Sequence, residues 1–267
     1  MKKNKINIYA LLRKVRAESP VIHHLTNWVT IYDCANIVKV LGASPVMAHA
    51  QEEAAEMASI ASALVLNIGT LTLEFIQAMK IAAKSANQKG IPVILDVCGA
   101  GATPLRDRAC FELLDEVKIS IIKGNASEIA RIAGENVCTK GVDSGKVNKD
   151  MVKVAQELAV RRQATVVITG KEDIVTNGKK LYLVANGDPM LAGIVGSGCI
   201  STSVVATFAA VESDFTSAAA AALAYFGIAA ECAAKKARGP GSFKERLFDA
   251  IYSLDQRTIE RTQKIKG

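Results

Sequence analysis

Along the chain, short apolar runs that end in small or polar residues alternate with longer stretches in which apolar positions recur every three or four residues. The short runs cover 20–23, 44–47, 63–67, 92–97, 119–123 and 165–169, and several are apolar almost throughout, as strands buried on both faces are. Between them, 31–41, 52–61, 71–87, 107–116, 127–133 and 149–162 carry the helical period. This βαβα alternation predicts a mostly parallel sheet with helices on both faces, a three-layer αβα sandwich of the α/β class.

After Thr169 the pattern changes. Segments 173–176 and 180–184 alternate in polarity about a turn containing Asn177-Gly178, a strong hairpin signal, and the hairpin is either an ordinary sheet edge or a flap. A glycine loop at 193–198 follows, then three helices at 199–211, 215–236 and 241–264, the middle one rich in alanine. No repeat, linker or composition break interrupts 1–267, so the expectation is one domain.

Composition narrows the class. Half of the 267 residues are hydrophobic, which excludes disorder, and only 5% are aromatic, which favours aliphatic helix-on-sheet packing. Six cysteines with no CxxC spacing exclude a zinc motif and a disulfide framework, and the basic start at 1–7 lacks the apolar core of a secretory signal, so a cytoplasmic protein with reduced thiols is expected. Segment 189–211 is uncharged and long enough to span a bilayer. Its proline, glycines and serines read instead as a loop entering a buried helix, so no membrane partner is expected. The net charge of +7 comes from basic residues scattered towards the termini (Lys2, Lys3, Lys5; Arg13, Lys14, Arg16; Lys235, Lys236, Arg238), without interleaved aromatics. That excludes a nucleic-acid surface and leaves a positive field suited to a nucleotide.

Open α/β sheets bind ligands beyond the carboxyl ends of their strands, and polar or glycine residues follow every apolar run. Asp96-Val97-Cys98-Gly99-Ala100-Gly101 looks like the first motif of adenosylmethionine-dependent methyltransferases, but the next strand ends in Lys123 where that family needs an acid. Gly193-Ile194-Val195-Gly196-Ser197-Gly198-Cys199 opens into a long apolar helix. It points backbone N–H groups out of the positive end of a helix dipole, a place for a phosphate. Cys199 and Ile200 stand where a Walker A loop needs lysine and a hydroxyl residue. In Lys123-Gly124-Asn125-Ala126-Ser127-Glu128, Asn125 and Glu128 have capping-box spacing and equally could orient hydrated Mg²⁺.

Taken together, Asn125-x-x-Glu128, the strand Thr165-Val166-Val167-Ile168-Thr169-Gly170 and Gly196-Ser197-Gly198-Cys199 resemble the ribokinase-like small-molecule kinases. Asn27-Trp28-Val29-Thr30, Ser44-Pro45-Val46-Met47, Asn67-Ile68-Gly69-Thr70 and Asp96-Val97-Cys98-Gly99-Ala100-Gly101-Ala102 resemble, more narrowly, the hydroxyethylthiazole kinase family of thiamine salvage, in order from about residue 20 to 230. The resemblance implies ATP-dependent phosphorylation of 4-methyl-5-(2-hydroxyethyl)thiazole with Mg²⁺. It implies Met47 and Gly196 at the thiazole with Asn27 and Val29 beside them, Lys123 and Thr169 (with Asn125) at the nucleotide, Asp96 and Glu128 at magnesium, and a homotrimer with shared active sites. Cys199 takes the place of the aspartate base of related sugar kinases.

Two features depart from that pattern. Lys123 stands where arginine is expected and offers a point charge rather than a planar fork. A free thiol is a poor base for making an alkoxide, so the amides of Gly196, Ser197, Gly198 and Cys199 are expected to carry catalysis while Cys199 orients the hydroxyl. His23, His24 and His49 end strands on the ligand side, though neighbours on a strand point oppositely and do not form a metal pair. Met57, Met79 and Met151 fit helical packing, and Cys34, Cys110, Cys138 and Cys232 fit core or surface positions. The alternative function is a nucleotide-binding protein of this fold acting on a hydroxymethylpyrimidine- or pyridoxal-type alcohol, or on none.

Overall fold

The structure, a computed structural model, describes residues 6–135 and 150–267. Lys2, Lys3, Lys5, Cys138 and Lys149 therefore lie outside the described residues. In chain order the first half runs α1 (Ile8–Glu18), β1 (Val21–Leu25), α2 (Ile31–Leu41), β2 (Ser44–Val46), α3 (Gln51–Ile60), β3 (Ala63–Asn67), α4 (Leu73–Lys89), β4 (Val93–Asp96), α5 (Pro104–Glu116), β5 (Ile121–Asn125) and α6 (Ala126–Ile132). The second half runs α7 (Met151–Arg162), β6 (Thr165–Thr169), β7 (Asp173–Thr176), β8 (Leu181–Val184), a 3₁₀ turn at Pro189–Gly193, α8 (Ser197–Ala209), α9 (Phe215–Ala234), α10 (Pro240–Ser253), α11 (Gln256–Thr262) and β9 (Ile265–Lys266). Side-chain caps start many of the helices: Thr72 accepts from Phe75 N, Thr103 from Arg106 N ahead of Pro104, and Asp214 from Ser217 N.

The nine strands form one sheet in the order β2-β1-β3-β4-β5-β6-β7-β8-β9. The first six are parallel, and β7, β8 and β9 return antiparallel. One core joins α1, α2, α8, α9, α10 and α11 to one face, and a second joins α3 to α7 to the other, which gives the three layers. Strands β3 and β4 are buried at every position, so their continuous apolar runs are explained.

Register decides where chemistry collects. Asn67, Asp96 and Lys123 lie in one row across β3, β4 and β5, at or near the carboxyl ends of those strands. Residues paired in register share a face, and this row points towards the first turn of α8.

One expectation changes, one open choice is resolved and one expectation is met. Segment 241–264 is two helices, because Leu254 turns extended (ψ 121°) and Asp255 caps a new one through Thr258 N. The hairpin turn is no flap: Asn177 and Lys179 border the same hollow as Pro92 and Ser120, which precede β4 and β5, at the sheet end opposite the site. Segment 189–211 is the 3₁₀ turn, a loop and the buried α8. The one described helix long and apolar enough to cross a membrane is α9, and 78% of that apolar window is buried inside the fold.

Candidate active site

The first intrahelical bond of α8 runs from Ile200 N to Gly196 O at 2.8 Å. The N–H groups of Ser197, Gly198 and Cys199 precede that ladder and are free to meet an anion. Gly196 makes the turn possible: its φ is +82°, and a Cβ there would lie 2.1 Å from Thr30 Cγ2. At Gly198 a Cβ would meet open space, which is the cavity itself. Behind the loop, the Gly198 carbonyl accepts from Lys123 Nζ at 2.9 Å and Ser201 Oγ at 2.7 Å, so its peptide plane is fixed.

Two cavities meet at this helix end. One of about 600 Å³ is bounded by Gly170, Lys171, Asp173, Asp188 and Gly227, the other of about 620 Å³ by Asn27, Val29, Asp96, Cys98, Glu128 and Cys199; both touch Thr169, Ala192, Ser197 and Gly198. Gly227 lets α9 come close, since a Cβ there would be 2.4 Å from the Asn186 carbonyl. Lys123 and Asn125 border the second cavity, not the first, and Thr169 sits at the junction. Met47 is outside the lining of both, on the loop after edge strand β2, where its carbonyl contacts His49 Nδ1 at 3.3 Å.

The ionisable groups are closely coupled. Asp96 Oδ2 accepts from Thr202 Oγ1 at 2.5 Å and lies 3.8 Å from the Lys123 ammonium. Both Glu128 oxygens accept backbone N–H groups at 2.7 Å, from Gly99 and Asn125, and the capping box with Asn125 is present. Burial, and then the nearby Asp96, push the Glu128 carboxyl up to about 7. Cys199 accepts from Asn27 Nδ2 and Asn67 Nδ2, each at 3.3 Å. The Cys98 thiol, which keeps its own proton, donates to the same sulfur and holds the Cys199 thiol below its usual range. His23 bonds the Ala48 carbonyl and His24 bonds Ser203, on opposite sides of β1, and burial drives His24 down to about 4. No cluster of three metal-ligating side chains occurs among the described residues.

Burial raises Asp173 to about 6, against the Gly170 N–H that it accepts at 2.9 Å. The native state therefore holds this proton over a range where the unfolded chain has lost it, so the associated stability is full below about pH 4 and lost as pH rises through about 6. Asp173→Asn should gain on the order of 3 kcal/mol relative to the parent between pH 4 and 7.5. Urea unfolding of both proteins at the two pH values checks this; a gap that does not change with pH contradicts it.

The sequence reading missed Arg106. Its guanidinium donates to the carbonyls of Ile68 and Cys98 at 3.0 Å and Gly69 at 2.7 Å, tying together the turns after β3 and β4 that wall the second cavity. Its only sequence signal is a lone arginine in the first turn of a helix that follows a glycine turn. Arg106→Ala should raise KM for the acceptor alcohol about tenfold with a smaller fall in kcat, and Arg106→Lys should restore only part, because lysine lacks the fork. Equal effects of Ala and Lys in a steady-state assay would count against a clamp.

The mostly parallel αβα sheet, with a glycine loop that opens a buried helix between two cavities, shares its fold with a ribokinase-like superfamily protein from Enterococcus faecalis V583 at 12% identity and a TM-score of 0.63, over 96% of this chain and 92% of that one. Residues 12–257 match the hydroxyethylthiazole kinase family. The hydroxyethylthiazole kinase of Methanosarcina mazei is 50% identical over 255 residues, covering 96% of this chain and 98% of the relative. The structure of the Pyrococcus horikoshii OT3 hydroxyethylthiazole kinase protein superposes with a TM-score of 0.90 at 37% identity, over 97% of this chain and 98% of that one. An ADP/ATP-dependent NAD(P)H-hydrate dehydratase from Bacillus subtilis, co-crystallised with ATP/Mg²⁺, shares the fold at 15% identity and a TM-score of 0.59, over 88% and 90% of the two chains. The chain belongs to the hydroxyethylthiazole kinase family and is a kinase that uses ATP.

Proposed function

We propose that the protein phosphorylates the hydroxyl of 4-methyl-5-(2-hydroxyethyl)thiazole with ATP in thiamine salvage, giving the thiazole phosphate and ADP. The observation that carries the reading is the meeting of two cavities at the amides of Ser197, Gly198 and Cys199. ATP fills the cavity bounded by Gly170, Lys171 and Asp188, passing its terminal phosphoryl across Thr169 to the helix end. The alcohol fills the other cavity between Asn27, Val29 and Gly196. The loop amides hold the transferring phosphoryl, the Lys123 charge beneath them offsets its charge, and Asn125 faces the same space. Cys199 orients the hydroxyl and takes its proton, its sulfur being held by Asn27 and Asn67.

Asp96 and Glu128 fit a divalent cation: both are buried carboxylates on one cavity, and their mutual repulsion is relieved by one. Mg²⁺ held there would neutralise phosphate charge. A trimer with shared sites is part of the proposal. Trp28, Val29 and Tyr32 are 49%, 65% and 77% exposed, and Trp28 stacks on Phe75. Such an apolar face, with Met47 on the loop after the edge strand and outside its own cavity, fits a site completed by a neighbouring copy. Sedimentation at the mass of one chain would overturn the trimer. We place the enzyme in the cytoplasm, where ATP is supplied. Coupled ADP release should be fastest with the thiazole alcohol, against hydroxymethylpyrimidine and pyridoxal controls. ADP release only with a control would replace the substrate, and none above the ATPase background would replace the reaction.

A further inference from the structure

Two walls of the cavity bounded by Gly170, Lys171 and Asp188 are held in different ways. One is α9, which presents Leu223, Phe226 and Gly227 and is fixed by core packing. The other is the loop after β8, from Ala185 to Asp188, in which only Asn186 is buried. Gly187 is exposed, and a Cβ there would meet nothing within 4 Å, so hydrogen bonds rather than packing must fix the loop at that point. Those bonds converge on one carboxylate. Glu231 Oε1 accepts from Gly187 N at 3.2 Å, Asn186 Nδ2 at 3.1 Å and Lys264 Nζ at 2.9 Å. Glu231 stands one turn beyond Gly227 on the same face of α9, the face that abuts the Asn186 carbonyl. Asn186 extends the tie to the segment that leads into β9. Its Nδ2 also donates to the Thr262 carbonyl at 2.9 Å, and its Oδ1 accepts from Lys264 N at 2.6 Å. Glu231 itself lines neither of the two cavities.

We infer that Glu231 is a positioning residue for the nucleotide: through Gly187 and Asn186 it fixes the loop wall of the cavity, so that ATP meets a formed site instead of ordering the loop as it binds. The inference rests on the reading that ATP fills this cavity. A loop that must be ordered during binding lowers affinity without changing the chemistry that follows. Asn27, Asp96 and Cys199 border only the other cavity, so a loosened loop leaves the acceptor side in place.

In the full-length protein, Glu231→Ala should raise KM for ATP about tenfold, with the same loss in ADP affinity by titration calorimetry, while kcat and KM for the thiazole alcohol stay within about twofold. Glu231→Gln should keep most of the affinity, because its amide oxygen still accepts from Gly187 and Asn186 and only the charge opposite the half-exposed Lys264 is lost. Alanine is the best helix former and Glu231 is only partly buried, so α9 should persist in both variants, which urea unfolding checks. An ADP affinity in Glu231→Ala within about twofold of the parent would overturn the positioning role. Equal losses in the two variants would overturn it as well, since charge and not the hold on the loop would then matter. A rise in KM for the alcohol with ADP affinity intact would move ATP out of this cavity and remove the reading on which the role rests. ADP binding needs no alcohol, so the result does not depend on which alcohol the enzyme accepts.

Discussion

Gly198→Pro is expected to lower kcat about 10³-fold or more, while Cys199→Ala retains about a hundredth of the parent value or better. The difference follows from what each residue supplies. Proline at the second helical position removes an N–H that precedes the ladder begun by Ile200, so α8 keeps its internal bonds. The lost N–H faces the cavity, however, and losing one such donor costs about 10²–10³ in rate. Proline also pushes Ser197 towards extended geometry, which misaims the neighbouring amide. Cys199 contributes differently. Donors from Asn27, Asn67 and Cys98 favour its thiolate, and a stabilised thiolate is a weak base. Phosphoryl transfer has a loose transition state with little proton transfer to assist, so truncating the base falls at the low end of the 10²–10⁴ seen for general bases. Steady-state kcat with the thiazole alcohol, alongside far-ultraviolet circular dichroism to show that α8 persists, tests both variants. Similar losses in the two would mean that proton transfer, not the amide cradle, limits the rate.

How much of this was legible in the sequence depends on whether the signal was local. Strands β3 and β6 fall on the apolar runs 63–67 and 165–169, because a strand buried on both faces leaves an unbroken hydrophobic trace. The break at Leu254 and Asp255 was hidden by helical periodicity on both sides, although a capping aspartate three residues ahead of Thr258 N was there to be read. β9 was invisible, since its two residues are a strand only because β8 offers a free edge. The glycine loop was legible from Gly196 to Cys199 because a helix entry is local. Its support was not. Arg106 reaches back 38 and 37 residues to Ile68 and Gly69, and the contacts of Asn27 and Asn67 with the Cys199 sulfur span 172 and 132 positions; both depend on strand order rather than spacing. Lys123 was placed at the nucleotide by the family resemblance, and what spacing could not give is its partners: its ammonium donates to the Gly198 carbonyl and lies 3.8 Å from Asp96.

That arrangement makes Lys123→Met the second large effect. Methionine nearly fills the volume of the lysine stem but removes the cation from a site 1% exposed. Asp96 would then be a buried carboxylate without its counter-charge, 3.8 Å from where the ammonium stood, and beside Glu128. Removing one partner of a buried pair costs about 3–5 kcal/mol, mostly the desolvation of the charge left behind. The Gly198 carbonyl keeps the Ser201 and Thr202 hydroxyls but loses its only charged donor, so the amide plane in front of it loosens and kcat should fall about 10²-fold or more. The double variant Lys123→Met, Asp96→Asn separates the two consequences. It should recover most of the stability in urea unfolding, because the orphaned charge is gone, yet remain as slow as the single variant, because neither the loop support nor the carboxylate returns. A double variant no more stable than Lys123→Met would show that Asp96 is not what the ammonium neutralises. One that recovered activity would show that Lys123 serves only to balance a charge, leaving the anion loop to hold its shape through the Ser201 and Thr202 hydroxyls.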